Sequence, residues 1–357
     1  MKLWLKFICI AFLLYTAVFS LIHPLVPGGL DVQSPDLHPG LNEYVFTGYS
    51  THFKDQEQNL QLYVSIDKNY YCTTIAQVID NAHVKASVNL PDTIPSARVA
   101  FYANDEVDGT VYVQKSIKVT GFGFDENVKN TACEVHVKSD EHTVFGYPFQ
   151  VIIFESIRNL MWHVPMWFTM FLLMIISFTY SIKTLNKLGR SNDNSADASS
   201  ISRFDVQSMD TKAAMAASTG LLFCILGLLT GSFWARFTWG DWWTMDPQLN
   251  GAMVVFIVYV AYFILRGSTP DEDKRARLSA IFNIFAFVLM VVLLMILPKF
   301  AQSLHPGKSG TPAFSKYDLD SSLRTVFYPA VIGWAMLGYW LYTLNLRIRK
   351  LEQQDEI

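Results

Sequence analysis

Imidazole and indole side chains that could hold a flat, metal-containing ligand occur at three separate places in the chain. The stretch TWGDWWTMDPQLN, residues 238–250, is rich in tryptophan, while His163 lies in RNLMWHVPMWF and His305 in AQSLHPGKSG. Tryptophan offers a large flat apolar surface with little rotamer freedom, and neutral imidazole is the commonest metal ligand among side chains. The three segments together indicate a ligand that needs both kinds of contact.

Haem satisfies these requirements, because its iron accepts two imidazoles on opposite faces and its two propionates need cations. Burying roughly 400 Å² of porphyrin at about 25 cal/mol per Å² would contribute on the order of 10 kcal/mol. Arg158, Arg236 and Arg324 are candidate cations for the propionates. Each feature also has an ordinary explanation, since tryptophans are common at membrane interfaces and Asp246 before Pro247 suits a turn. Taken singly, the residues leave both explanations open.

The composition predicts that these segments are positioned by membrane helices. The chain has 357 residues, of which 51% are hydrophobic and only 17% are charged, which is typical of several membrane spans. A net charge of −3 gives no support for nucleic-acid binding. We predict an all-α bundle of about six transmembrane helices, because that number of apolar runs is long enough to cross a bilayer. The runs are 4–22, 160–182, 213–233, 251–266, 278–297 and 325–343.

Basic residues orient this bundle. The positive-inside rule makes the side that carries the lysine and arginine groups cytoplasmic. The groups are Lys2 and Lys6; Lys183, Lys187, Arg190, Arg203 and Lys212; Arg266, Lys274, Arg275 and Arg277; and Arg347, Arg349 and Lys350. Both termini are then inside, whereas segments 23–159, 234–250 and 298–324 are outside. His163, at the outer end of the second span, and His305 therefore share one membrane face with the tryptophan-rich stretch.

The outer segment before the second span differs in composition from the rest of the chain. Short β-rich stretches such as NLQLYVSI, GTVYVQKSIKVTG, ACEVHVKS and TVFGYPFQVIIFE are separated by turn residues, which predicts an inserted all-β extracytoplasmic domain of sandwich type. We expect four parts: a transmembrane anchor at 1–22, this β-domain at 23–152, a five-helix membrane domain at 153–345 and a cytoplasmic tail at 346–357. The first span is read as an anchor, with a cleaved signal peptide as the alternative.

Cysteine usage excludes two redox functions. Cys72 and Cys133 share the outer segment, where a disulfide is chemically permitted, but their spacing does not decide whether they pair. The chain contains no C-x-x-C and no C-x-x-C-H, so it is neither a thioredoxin-like reductase nor a c-type cytochrome. It also lacks a glycine-rich phosphate loop and is therefore not itself an ATPase.

Three motifs resemble one family in the same order along the chain. WGDWWTMDPQLN is similar to the WWD signature of the haem-handling proteins of cytochrome c maturation, approximately W-G-x-W-W-x-W-D-x-R-L-T. RNLMWHVPMWF resembles the segment of the CcmC-type haem handler in which His-Val-Pro follows an arginine. SLHPGKSG is similar to that family's LHQGST loop, and the later SSLR also has a counterpart in the family. The likeness covers about residues 155–345.

The resemblance implies roles for individual residues. His163 and His305 match the two axial ligands of the haem iron, and Arg158 matches an arginine of the same segment. The positions that match the haem-platform loop are Trp239, Gly240, Trp242, Trp243, Asp246 and Leu249. A protein of this family, which is not an enzyme, holds haem b non-covalently and transiently at the outer face of the bacterial inner membrane. Its partners are membrane lipid, a periplasmic haem chaperone (CcmE-like) and the ABC transporter subunits of the maturation system.

The chain departs from the family pattern at several positions. Met245 stands where a further tryptophan is usual, Gln248 replaces an arginine and Asn250 replaces a threonine. The propionates then depend more on the other arginines. Two alternative functions stay open: a haem lyase of the same superfamily, which attaches haem to apocytochrome c, and a membrane permease subunit. A lyase usually carries a second histidine pair within the membrane part, and a permease predicts ionisable residues inside the spans.

Overall fold

The computed structural model describes most of the chain in two compact units. The described residues are 1–23, 29–33, 36–66, 69–96, 99–113, 118–125, 154–191, 203–301, 305, 319 and 321–355. One unit, the membrane unit, contains Met1–Leu21 and Arg158–Ile357, and the other, the β-unit, contains Ile22–Ile157. The division into four functional parts, with boundaries at 22, 152 and 345, stays a prediction.

The membrane unit is mainly helical in its described residues. Its helices are α1 (Leu3–Ile22), α2 (Leu160–Ser191), α3 (Arg203–Trp239), α4 (Pro247–Gly267), α5 (Glu272–Val291), α6 (Leu297–Phe300) and α7 (Ser321–Asp355). A 3₁₀-helix, Phe154–Asn159, precedes α2, and a π-helical turn, Val292–Ile296, joins α5 to α6. Apolar helices of this length satisfy their own backbone hydrogen bonds, which is the requirement for crossing hydrocarbon.

Within the described part of the chain, five helical segments are long and apolar enough to span a membrane. They are Leu3–Ile22, Glu155–Gly189, Phe204–Trp239, Pro247–Gly267 and Glu272–Phe300. Five of the predicted runs lie in these segments, so a multi-pass membrane protein is confirmed. The remaining run, 325–343, lies in α7, whose many tyrosine and tryptophan residues make it less apolar than an aliphatic helix. Six spans therefore stay a prediction.

The helices extend beyond the apolar runs from which they were predicted. Helix α3 begins at Arg203 and ends at Trp239, whereas the apolar run covers only 213–233. Hydropathy marks only the part of a helix that matches the hydrocarbon core, and the polar turns at each end continue past it. As a result, the connection between α3 and α4 is confined to residues 240–246, shorter than the predicted external segment 234–250.

Packing in the membrane unit separates a lipid-facing side of each helix from a buried side. On α3 the exposed large apolar residues recur every three or four positions, at Leu222, Ile225, Leu229 and Phe233. The opposite side of α3 packs against α2, its most extensive helix–helix contact. Small residues bring the two helices close, since a Cβ added at Gly220 would lie 2.9 Å from the Met174 Cε atom. This packing fixes how the end of α3 meets the start of α2.

Polar side chains join the helices inside the bundle. Arg266 of α4 donates to Asp210 of α3, with 2.7 Å between Nη1 and Oδ1. Asn283 of α5 donates through Nδ2 to the hydroxyl oxygens of Ser177 and Ser181 on α2, over 2.7 and 2.8 Å. Buried polar groups are tolerated among membrane helices when they pair with each other in this way. These contacts align α2 with α5 and α3 with α4.

The β-unit contains two four-stranded antiparallel sheets, with strand orders β1-β3-β7-β6 and β10-β9-β4-β5. The strands are β1 (Gly29–Gln33), β2 (Asp36–Leu37), β3 (Gly40–Tyr49), β4 (Gln61–Ile66), β5 (Asn69–Cys72), β6 (Thr74–Val78), β7 (His83–Leu90), β8 (Thr93–Ile94), β9 (Val99–Asp105), β10 (Gly109–Tyr112), β11 (Lys118–Val119) and β12 (Gly123–Phe124). Alternate residues of the sheets form one hydrophobic cluster. Tyr44 and Phe46 of β3 meet Phe101 of β9 edge to face, with ring centroids 5.0 and 5.6 Å apart. The two sheets therefore face each other across a shared core, as a sandwich requires.

Two of the predicted strand segments are found in this sandwich. NLQLYVSI forms β4, and GTVYVQKSIKVTG contributes β10 and β11. The segments ACEVHVKS and TVFGYPFQVIIFE lie outside the described residues except for the last two residues of the second, Phe154 and Glu155, which begin the 3₁₀-helix. Cys72 is disulfide-bonded, and Cys9 and Cys224 are free thiols. Because Cys133 lies outside the described residues, its pairing stays open.

Candidate functional site

His163 lies in the first turn of α2 and contacts the C-terminal half of α3. Its Nδ1 atom is 3.0 Å from the Oγ1 atom of Thr230. The Thr230 hydroxyl proton is already directed to the carbonyl oxygen of Leu226, 2.8 Å away. The hydroxyl oxygen therefore accepts, Nδ1 of His163 carries the proton, and the lone pair of the neutral ring is on Nε2. This is the tautomer that a metal ligand needs.

A glycine on α3 receives the His163 ring. A Cβ added at Gly231 would lie only 2.7 Å from the Cε1 atom of His163. One turn earlier, a Cβ added at Gly227 would lie 2.9 Å from Cε2 of Trp167. His163 and Trp167 are four residues apart on α2, and the two glycines are four residues apart on α3. Each of the two α2 rings therefore fits the space left by a glycine of α3, which we call a notch. The sequence signal for this packing is a G-x-x-x-G motif, Gly227 to Gly231, inside an apolar helix.

Two tryptophans complete the surroundings of His163. The Trp234 ring of α3 meets the imidazole edge to face, with centroids 5.7 Å apart and an interplanar angle of 84°. The Trp167 ring lies 6.2 Å away at 77°. With the Gly231 notch, these rings fix the direction in which Nε2 points. Among the functional residues that the sequence reasoning missed are Thr230, Gly231 and these two tryptophans.

His305 follows α6 and is held by the aspartate of the tryptophan-rich stretch. Its Nδ1 atom is 3.0 Å from Oδ1 of Asp246. The Asp246 side chain is 1% exposed and that of His305 is 20% exposed. A carboxylate accepts only, so Nδ1 of His305 donates and the lone pair of the neutral imidazole is on Nε2. His305 therefore presents the same tautomer as His163.

Asp246 has a second role as the N-cap of α4. Its Oδ1 atom accepts from the backbone N–H groups of Gln248 and Leu249, over 2.9 and 3.4 Å. These are two of the N–H groups that have no partner within the helix, and Pro247 at the first helical position lacks one of its own. The turn before Pro247 was the ordinary explanation for Asp246. The structure adds the contact with His305, so this one carboxylate positions both a helix and a candidate ligand.

The loop 240–246 folds back on the end of α3. Gly240 has a φ of +86°, the left-handed conformation that commonly follows the end of a helix. Arg236 donates through Nη1 to the Gly240 carbonyl. The Ser232 hydroxyl donates to the carbonyl oxygen of Trp242, 3.0 Å away. These contacts keep the tryptophans of the loop next to α3, the helix against which the His163 side chain packs.

The tryptophans predicted as a platform differ in their environments. Trp239 meets the His305 ring edge to face at 5.2 Å. Trp243 donates through Nε1 to Oδ1 of Asn250, 3.2 Å away. Trp242 is 53% exposed, and its neighbour Met245, the departure from the family pattern, is 88% exposed. The exposed side chains of Trp242 and Met245 thus lie in the same short stretch as Trp239, which contacts His305.

The three candidate arginines have different partners. Arg158 donates through Nη1 to the backbone oxygen of Ser20 over 2.9 Å, which joins the 3₁₀-helix to α1. Arg236 donates to the carbonyl of Gly240. For Arg324, the buried Nε atom has no hydrogen-bond partner among the described residues. Each guanidinium has five N–H donors, so contact with propionates stays a prediction for all three arginines.

Both histidines lie at one end of the bundle. His163 contacts α3 at residues 230, 231 and 234, whereas His305 contacts it at Trp239. Gly231 and Trp239 are eight residues apart, which corresponds to about 12 Å along a helix. Two neutral imidazoles with their lone pairs on Nε2, and tryptophan rings beside each, are a donor set that fits the iron and the flat ring of haem.

Comparisons with known proteins show which proteins this region resembles. Residues 150–305 match the family model described as cytochrome C assembly protein. Heme exporter protein C of Rhodobacter capsulatus is 27% identical over 168 residues, which are 44% of this chain and 66% of that protein. Heme exporter protein C of Paracoccus denitrificans is 29% identical over 109 residues, 30% of this chain and 44% of that protein.

A differently named relative matches a similar length of the chain. Cytochrome c biogenesis protein CcsA of Prochlorococcus marinus is 31% identical over 109 residues, 30% of this chain and 34% of that protein. The chain thus spans less than two thirds of the length of these curated relatives. The matched range runs from just before α2 to His305 and contains both histidines and the loop 240–246. The resemblance seen in the motifs is confirmed: residues 150–305 of this chain are similar to cytochrome c assembly proteins, among them heme exporter protein C.

Proposed function

We propose that the protein binds haem b non-covalently between His163 and His305 and passes it to a haem chaperone during cytochrome c assembly. The observation that carries this proposal is the shared contact of the two histidines, each with an oxygen 3.0 Å from its Nδ1 atom. In this proposal that oxygen accepts the Nδ1 proton, so Nε2 has the lone pair. When bound, haem supplies an iron that accepts two such nitrogens.

The remaining residues of the site have distinct roles in this proposal. Trp239 and Trp234 pack against the imidazole edges, and Trp242 offers exposed apolar area for the porphyrin. Arg158, Arg236 and Arg324 are the proposed cations for the propionates. Because Gln248 has no charge, the family's arginine at that position is not available here. The names of the heme exporter protein C relatives support haem as the ligand.

The basic residues between the spans place the site at the outer, periplasmic face of the inner membrane in this proposal. The positive-inside rule predicts that the segment 23–159 is also periplasmic. The proposed partners are a periplasmic CcmE-like chaperone and the ABC transporter subunits of the maturation system. The protein delivers haem without catalysing a reaction.

A visible spectrum of the full-length protein tests the ligand. The protein is purified in detergent with and without added haem, next to His163→Ala and His305→Ala. His83→Ala is the matched control, because His83 lies in a β-strand of the other unit. We expect a Soret band that shifts or disappears in the two site variants and is unchanged in the control. A wild-type protein that stays colourless after addition of haem would refute the proposal and leave a permease subunit as the better function.

The second candidate is a haem lyase, because a relative named CcsA matches the same region. The membrane part contains only His163 and His305, which favours a carrier. To separate the two, the haem-loaded protein is incubated with either an apo-chaperone or an apocytochrome peptide that contains C-x-x-C-H. Haem that moves to the chaperone supports the carrier. Thioether-linked haem on the peptide, which survives acid extraction, would identify a lyase.

A further inference from the structure

The two histidines of the site are held by chemically different groups. Nδ1 of His305 donates to a carboxylate, Asp246, whose side chain is 1% exposed. Nδ1 of His163 donates to the hydroxyl oxygen of Thr230, which in turn donates to a backbone carbonyl. The distance is 3.0 Å in both cases. One imidazole therefore shares its proton with an anion, and the other shares it with a neutral oxygen.

This difference changes how strongly each ring donates electrons to a metal. A carboxylate acceptor draws the Nδ1 proton towards itself and raises the basicity of Nε2. A hydrogen bond to a charged group is about twice as strong as one between neutral groups, and burial of Asp246 limits screening by water. We propose that Asp246 makes His305 the stronger of the two iron ligands, so that haem stays on His305 when its bond to His163 is broken.

The close packing of His163 does not oppose this ranking. Gly231, Trp167 and Trp234 fix the direction of the His163 ring. None of them carries a charge, so they do not raise the basicity of Nε2. His163 is thus oriented mainly by shape, whereas His305 is oriented and made more basic by an anion. Asp246 and Thr230 act through the histidines and are positioning residues.

The inference rests on the proposed function, since it ranks two ligands of the same haem. The step itself is a simple ligand dissociation. The bond between iron and Nε2 of His163 breaks, and its electron pair returns to Nε2. Iron stays bonded to Nε2 of His305, and no electron or proton is transferred. The residues that decide the ranking are therefore those on the Nδ1 side of each ring.

Variants with one histidine each compare the two ligands directly. In the full-length protein in detergent, His163→Gly leaves the His305–Asp246 pair and His305→Gly leaves the His163–Thr230 pair. Titration with ferric haem should show roughly 10- to 100-fold tighter binding by His163→Gly, the range typical for a partner of a metal-bound histidine. Adding Asp246→Asn to His163→Gly should abolish this advantage, because asparagine is as good an N-cap but carries no charge. Adding Thr230→Val to His305→Gly should have a smaller effect.

A spectroscopic signature separates basicity from a loss of structure. In the reduced, five-coordinate haem complex, resonance Raman spectroscopy records the iron–histidine stretching vibration. The frequency should be higher in His163→Gly than in His305→Gly, and it should fall when Asp246→Asn is added. Thr230→Ser keeps the hydroxyl and should behave like the parent variant.

The outcomes distinguish a failure of the ranking of the two ligands from a failure of the proposed function. Equal affinities and equal frequencies in the two glycine variants, or higher values for His305→Gly, would overturn the ranking and leave the proposed function in place. A wild-type protein that binds no haem, or a spectrum that neither glycine substitution changes, would overturn the proposed function and with it the ranking.

Discussion

A histidine held by a buried aspartate is present in both units of the molecule. In the membrane unit, Nδ1 of His305 is 3.0 Å from Oδ1 of Asp246, and in the β-unit Nδ1 of His52 is 2.7 Å from Oδ1 of Asp108. Both aspartate side chains are nearly inaccessible, with exposures of 1% and 4%. Each also accepts a backbone N–H, from Gln248 in one case and from His52 itself in the other.

The surroundings of the two pairs differ. His305 lies beside Trp239, at the end of the bundle that also holds a second neutral imidazole. Asp108 instead lies next to Asp105, a buried carboxyl whose pKa is raised by its burial and by the charge of Asp108. A second carboxyl group beside the pair favours the protonated form of the histidine. Aromatic rings and a second imidazole instead favour the binding of haem. In the proposed function, the neighbours of each pair, more than the histidine–aspartate pair itself, decide which histidine binds a metal.

The largest expected effect comes from removing each aspartate in turn. Asp246→Ala removes the partner of His305 and the N-cap of α4, so haem affinity should fall roughly 10- to 100-fold and the cap loss should cost about 0.5–2 kcal/mol. Asp108→Ala leaves the His52 N–H groups without their acceptor and should destabilise the β-unit by about 1–3 kcal/mol. Haem titration and chemical unfolding measure both quantities. A loss of haem affinity in Asp108→Ala would contradict the separation of the two pairs.

The next largest effect tests how shape orients His163. In Gly231→Ala the new methyl group would lie 2.7 Å from Cε1 of His163, so the ring must shift. Overpacking of this kind costs roughly 1–3 kcal/mol. A loss of about 1 kcal/mol in haem binding, as the ring leaves its position, would lower haem affinity about 5-fold. Gly189→Ala is the control, because nothing lies within 4 Å of a Cβ at that position. If both variants keep the wild-type Soret band and affinity, the notch does not orient the ligand.

A smaller effect is expected from the aromatic neighbour that distinguishes His305 from His52. Trp239→Leu removes the edge-to-face contact at 5.2 Å, and such contacts are worth about 0.5–1.5 kcal/mol beyond their area. Haem affinity should therefore decrease about 2- to 10-fold, with both iron ligands still in place. Trp4→Leu, at a position that is 57% exposed on α1, should have no effect on the titration. An equal loss in both variants would show that the contact with His305 is irrelevant.

The smallest effect is a pH dependence confined to the β-unit. The hydrogen bond with Asp108 raises the pKa of His52 above its ordinary value. A raised pKa in the folded state means that the pair contributes its full stability below about pH 6.5 and loses it as the pH rises through the folded pKa. The gain is modest, because His52 is 50% exposed.

Unfolding of the full-length protein at a series of pH values measures this dependence. The free energy of unfolding of the β-unit should decrease towards alkaline pH in the wild type and change less in His52→Gln. The haem affinity measured in the same samples should be equal in the wild type and in His52→Gln. An identical pH dependence in wild type and variant would show that His52 does not contribute.

Much of the candidate site was predictable from residue types and order. His163, His305 and the tryptophan-rich stretch were identified because their motifs follow one another as in a known family, and the family match over 150–305 confirms that resemblance. Thr230, Gly231 and Trp234 were missed, although the G-x-x-x-G motif that ends at Gly231 is visible in the sequence. A glycine in an apolar helix predicts a close approach, but it does not predict which side chain approaches.

The chain by itself determined the apolar segments that are long enough to cross a membrane and the residues that lie near their ends, because hydropathy is a property of consecutive residues. Only the tertiary structure decided the partners of the two histidines. His163 and Thr230 are 67 residues apart, and His305 and Asp246 are 59 apart. No local periodicity relates such positions. They meet because helix packing brings the start of α2 to the end of α3 and the start of α4 to α6. These two contacts supply the oxygen beside Nδ1 of each ring.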